Sequence, residues 1–176
     1  QDINKEEADN EFVKNAKNAI LLQMQGEVRS QLELELKNVS SQIEKDPARE
    51  DLIRQQIEAV NDLEQFEIMV MEVLRQNYVY LSGIEITLED FEPVYEMMFR
   101  RWALNEEQDV DITLEQLTTA VIDKKVNQDT KFHIDISNLG KSEIILFSSL
   151  GGAIVLGVVG GIIATLIVKK KHKEEK

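Results

Sequence analysis

The sequence predicts a mainly α protein: a long antiparallel helical hairpin, a small α or α+β unit next to a membrane, and one C-terminal transmembrane helix. Three observations predict it. Apolar residues recur every three or four positions across most of residues 13–81, which is the period of a helical face. One proline-containing break, "KDPARED", divides that pattern in two. Near the end of the chain, the 25 residues 144–168 contain no charge and no Asn, Gln, His or Pro.

In the first arm, Val13, Ala16, Ile20, Met24, Val28, Leu32, Leu36, Val39 and Ile43 line one side of a helix. Their eight steps cover 30 residues, a mean of 3.75, which exceeds the 3.5 of a left-handed heptad coil and predicts a straight or mildly right-handed seam. Gly26 lies off the stripe and weakens the middle of the arm by about 1 kcal/mol relative to Ala.

A second helix is predicted from Pro47 to about Leu81. Asp46 can cap it, Pro47 suits the first helical position, and Glu50 and Asp51 favour the positive end of the helix dipole. Ile53, Ile57, Val60, Leu63, Phe66, Val70, Leu74, Tyr78 and Leu81 form its stripe, so residues 1–81 make a hairpin with arms of roughly 50 to 60 Å. The centre of this arm, "FEIMVMEVL", is apolar on nearly every side. One partner helix cannot cover such a surface, so Phe66, Met69 and Met71 should meet either the rest of the body or another subunit.

Residues 82–138 contain a weak repeat. "GIEITLEDF" and "DVDITLEQL" share Ile-Thr-Leu-Glu, with Thr87 and Thr113 placed as helix caps and Asp90 and Gln116 three residues on, the layout of a capping box. Pro93 kinks the first of these helices or marks its true start. Ile84/Ile86, Val110/Ile112 and Phe132/Ile134/Ile136 alternate like short strands. Either a β-α-β-α-β unit or a purely helical unit with extended linkers fits this pattern. Residues 139–143 then link the unit to the span.

The run 144–168 is long enough to cross a hydrocarbon core of about 30 Å, which needs roughly 20 helical residues. Its glycines do not form a phosphate-binding loop, because they fit neither GxGxxG nor a Gly-Lys-Ser/Thr ending. Ser149, Ala153, Gly157, Gly161 and Thr165 are spaced by four and all small, so they form a ridge on which another span could pack closely. Membrane lipid is therefore one partner, and other membrane-protein subunits or a second copy of the chain are the others.

Charge sets the expected orientation. The tail 169–176 carries +3 of a total of −13, leaving −16 on the residues before it. Lys169, Lys170, Lys171 and Lys173 crowd the C-terminal edge of the span, which by the positive-inside rule puts the tail in the cytoplasm and the acidic body outside. That topology implies a cleaved leader, and a chain opening at Gln1 without an apolar segment is what processing would leave. The alternative is a tail-anchored protein of an organelle membrane, with its body in the cytosol.

The same charge argues against nucleic acid, whose binding needs clustered Lys and Arg. The chain has no Cys, which rules out disulfides, thiolate catalysis and Cys-ligated metals. Only His133 and His172 exist, one in a predicted strand and one in the tail, which argues against a two-histidine metal helix and a Ser-His-Asp constellation. The acidic string "EEQDVDITLE" fails as a calcium loop, since Leu114 and Ala120 stand where Gly and Glu are needed. Neighbouring carboxylates such as Glu89 and Asp90 arise by composition among 33 acidic residues. "FRRWA" is a different kind of signal. Arg100, Arg101 and Trp102 interrupt the acidic field and are residue types enriched at interaction hot spots, although a core tryptophan with snorkelling arginines has the same sequence.

No catalytic, cofactor-binding or metal-binding residue is therefore predicted. The expected function is a non-enzymatic scaffold or accessory subunit of a membrane complex. An extracytoplasmic chaperone-like or receptor-like binding module is the alternative.

Overall fold

A computed structural model of the chain describes residues 2–104 and, within the apolar run, residues 154, 155, 157–159, 161 and 162. Four helices follow in order: α1 (Asp2–Ser40), α2 (Pro47–Asn61), α3 (Leu63–Ser82) and α4 (Leu88–Leu104). The described residues of the apolar run are helical as well.

The predicted hairpin is present. Polar pairs across it fix its direction: Arg49 Nη2 meets Glu35 Oε1 at 2.7 Å, Arg29 Nη1 donates to Asn61 Oδ1 at 3.2 Å, and Gln25 Nε2 donates to the Val60 carbonyl at 2.7 Å. The start of α2 at Arg49 meets Glu35 near the end of α1, while Val60 and Asn61 at the end of α2 meet Gln25 and Arg29 farther back, so the arms are antiparallel. At the tip, the Asp46 side chain accepts from Arg49 N and Pro47 occupies the first turn of α2, as its chemistry predicts. The stripe of α1 is buried at Val13, Ile20, Met24, Val28, Leu32 and Val39, but Ile43 is fully exposed. Helix α1 ends at Ser40 so that the chain can reverse, and Ile43 falls in the turn with no facing surface.

The second arm differs from its prediction. It is two helices, not one, and the break is at Asp62, whose backbone is extended (φ −88°, ψ 107°) and whose carboxylate accepts from Gln65 N at 3.1 Å. Its stripe passes through the break because Val60, Leu63 and Phe66 keep steps of three. The chain then leaves α3 through Gly83, which holds a left-handed conformation (φ 69°) and donates its N–H to the Val79 carbonyl, a cap that a residue with a Cβ adopts only under strain.

The strand expected at Ile84 and Ile86 does not form. Residues 83–87 are an irregular linker, Ile84 is exposed, and no strand occurs among the described residues. Among the described residues there is no strand for it to pair with, and alternation alone cannot hold extended backbone in a sheet. Thr87 does cap α4: its hydroxyl accepts from Asp90 N at 3.1 Å, and α4 runs through Pro93 to Leu104. The second Thr-capped helix, the strands predicted at 110–112 and 132–136, the acidic string and both histidines lie outside the described residues.

Helix α4 packs back along the N-terminal half of α1. Lys17 Nζ bonds Glu96 at 2.8 Å and Arg100 Nη1 donates to Asn10 Oδ1 at 2.6 Å. Because α1 has α2 along one half and α3 and α4 along the other, it buries more than its stripe: Leu21 and Gln25, each one position on, are buried too. Phe91, Tyr95 and Phe99 on α4 join the hairpin residues in one apolar cluster, with Tyr95 and Phe99 in edge contact at 5.0 Å and Phe99 and Trp102 at 6.5 Å.

Candidate functional site

Two features stand apart from ordinary core packing. The first is an apolar seat within the body. From Met69 to Arg75, every residue of α3 is buried, so neighbours cover this segment around nearly its whole circumference, with Met71 also lining a cleft. Two of the seven are charged, and they satisfy each other. Arg75 Nε and Nη2 fork onto Glu72 at 2.8 and 2.5 Å, Gln76 donates to Glu72 Oε1 at 2.8 Å, and Arg75 Nη1 donates to the Ile86 carbonyl at 2.9 Å, tying the linker to α3. Cover for this centre was expected from the body or from another subunit. Here it belongs to one cluster that also takes in Ile154, Val155, Val158, Val159 and Ile162, each no more than 8% exposed.

Those five residues have the spacing of one helical face. Gly157 and Gly161, the described members of the small-residue ridge, lie off it: Gly157 is half-buried, Gly161 is exposed, and a Cβ at Gly161 would meet no atom within 4 Å. Ser149, Ala153 and Thr165, and the lysines 169, 170, 171 and 173, lie outside the described residues. Among the described residues no helix is long and apolar enough to cross a membrane, since most of residues 144–168 falls outside them.

The second feature is an acidic cleft of about 760 Å³ beside α1, α3 and α4. Glu64, Glu67, Glu89, Glu92 and Glu96 rim it over a floor that includes Ile68, Met71 and Leu88. Lys17 enters from α1, with its ammonium 2.9 Å from Glu67, 2.8 Å from Glu96 and 5.7 Å from the centre of the Tyr95 ring. Burial by itself would lower the Lys17 pKa, but hydrogen bonds to Glu96 and Glu67 and their charges outweigh it and hold the pKa above the usual value. The Tyr95 hydroxyl donates to Glu67 at 3.1 Å, and burial first, then the Glu67 charge and that hydrogen bond, push its ionisation well above the tyrosine range. The only hydroxyl besides Tyr95 on the rim is Thr87, already engaged as the α4 cap. The arrangement can bind cationic side chains; it supplies no activated nucleophile. Among the described residues, no three His, Cys, Asp or Glu side chains form a group able to hold a metal ion.

The residues singled out as partner contacts divide. Phe66 and Met69 are fully buried in the core and Met71 sits at the cleft floor, so none of the three presents a free surface. Trp102 is half-buried against the cluster, the core reading of "FRRWA", while Arg100 is held by Asn10 and Arg101 is half-buried. Sequence reasoning missed the Lys17–Glu67–Glu96–Tyr95 group entirely, because its members come from three helices up to 79 residues apart. The chain matches no family model, no curated protein and no solved structure.

Proposed function

We propose that this protein is a single-pass, membrane-anchored helical scaffold or accessory subunit of a membrane complex, non-enzymatic, with its helical body held at the membrane by residues 144–168. The observation that carries the reading is the uncharged run of 25 residues closed by Lys169, Lys170 and Lys171. Lipid and other spans are its partners, met through the ridge of small residues. Alkaline carbonate washing of native membranes should leave the chain in the pellet. Release into the supernatant would remove the anchor and the proposal with it. Isolation in mild detergent should then bring down companion subunits or a second copy of the chain.

The flanking charge favours a cytoplasmic tail and an extracytoplasmic body. A second orientation, tail-anchored with a cytosolic body, is favoured by a separate observation. A chain whose anchor face packs on its own body can exist in water before it reaches a membrane, as insertion after synthesis requires. Protease added outside sealed cells digests the body in the first orientation and spares it in the second.

A further inference from the structure

Ile154, Val155, Val158, Val159 and Ile162 occupy the middle of the apolar run, where a spanning helix crosses the bilayer centre, yet each is buried in the cluster of the helical body. The two locations exclude each other. The body cannot follow the run into hydrocarbon, because α3 carries Glu64, Glu67, Glu72 and Arg75 and α4 is charged along its length. We infer that the body is a reversible seat for its own anchor: in water it stores the 154–162 face in its core, and a phospholipid bilayer draws that face out. This rests on the anchor reading and, of the two orientations, on the tail-anchored one.

The geometry of the stored helix supports release as a unit. Its buried positions 154, 155, 158, 159 and 162 form a single face, while Gly157 is half-buried and Gly161 is exposed with no atom within 4 Å of an added Cβ, so the described residues show one seam to part. The competing location is equally suited to that face, since lipid tails are as apolar as the Val and Ile side chains they would receive. Moving the face uncovers apolar surface on the body. The centre of α3, residues 69–75, is an unbroken run of buried residues whose apolar members share the cluster with the 154–162 face, so that is where the body should loosen when the anchor leaves.

The native chain has no cysteine, so single replacements report cleanly. Full-length Val159→Cys and Gly161→Cys proteins, prepared without detergent, are treated with a membrane-impermeant maleimide, before and after adding vesicles of phosphatidylcholine with phosphatidylserine. Flotation is scored separately. In water, the cysteine at 161 should react at least about tenfold faster than that at 159, since only the former is open to solvent. On floated vesicles both should be protected, and amide exchange across 66–75 should accelerate. Flotation with equal reactivity at 159 and 161 in water overturns the stored state and leaves the anchor intact. Protection at 159 without any flotation removes the anchor reading itself, and the inference with it. Flotation with 161 still reactive and 66–75 unchanged shows attachment by some other surface and overturns release. A chain that stays in water only with detergent also overturns storage.

Discussion

Individual side chains decide how this body tolerates change. Glu72 is completely buried and its charge is balanced by the Arg75 fork. Arg75→Met leaves that carboxylate uncompensated and frees the Ile86 carbonyl, and should destabilise the fold by about 3–5 kcal/mol, read as a lower urea midpoint by Trp102 fluorescence. Replacing both, Glu72→Gln with Arg75→Met, should recover part of the loss; equal midpoints for the single and double variants would refute the buried pair. Lys17 and Tyr95 set an alkaline limit. Both ionise at higher pH in the folded state than their ordinary values of 10.5 and 10.0, so the unfolded chain loses these protons first. Their contribution is complete below those values and is lost as pH rises through the folded ones. Stability owed to the pair should therefore hold below about pH 9 and fall above about pH 10, with a shallower fall in Tyr95→Phe. Identical slopes in the two proteins would contradict the Tyr95 assignment.

Among the elements, the break at Asp62 is the sharpest test, because a continuous second arm and a divided one respond oppositely to one substitution. If α3 begins anew there, Asp62→Ala removes its cap and should cost about 0.5–2 kcal/mol, while Asp62→Asn keeps most of it. If the helix ran through, alanine would be the better helix former and stability would rise. Thermal denaturation of the three proteins separates these cases. The sequence did contain a signal: Asp62 followed by Gln65 has the layout of a capping box, but it sits inside a stripe that never loses step. Thr87 was legible as a cap because the preceding residues carry no helical stripe to mask it.

For the whole molecule, the described residues of the apolar run present two unlike sides, one buried in the core and one that includes the exposed Gly161. Gly161→Ile adds bulk where a Cβ meets nothing within 4 Å, so the urea midpoint of the body should shift by less than about 0.5 kcal/mol in stability. The same change should hold spans apart and abolish energy transfer between labelled chains in membranes, whereas Val158→Ile, on the packed side, should leave transfer intact. Unaltered transfer in Gly161→Ile at matched expression would leave the small-residue ridge without a partner. Those outcomes together would separate stability from the proposed association on one helix.

What the sequence determined by itself are the features that neighbours along the chain encode. The period of the stripes, the proline break and the caps at Asp46 and Thr87 are local statements of backbone chemistry, and they specified the hairpin and the start of α4. The length of the uncharged run is likewise local, and it carries the anchor proposal. The tertiary structure alone decided what lies against what. Alternation at Ile84 and Ile86 did not become a strand, and among the described residues no other strand pairs with it. Lys17 found Glu67, Glu96 and Tyr95 only because α4 folds back on α1, and the all-round apolar surface of α3 could have faced a partner or a core until packing enclosed it. Periodicity tells a helix which side is greasy; which surface meets that side depends on contacts between residues far apart in sequence, and no spacing rule carries that information.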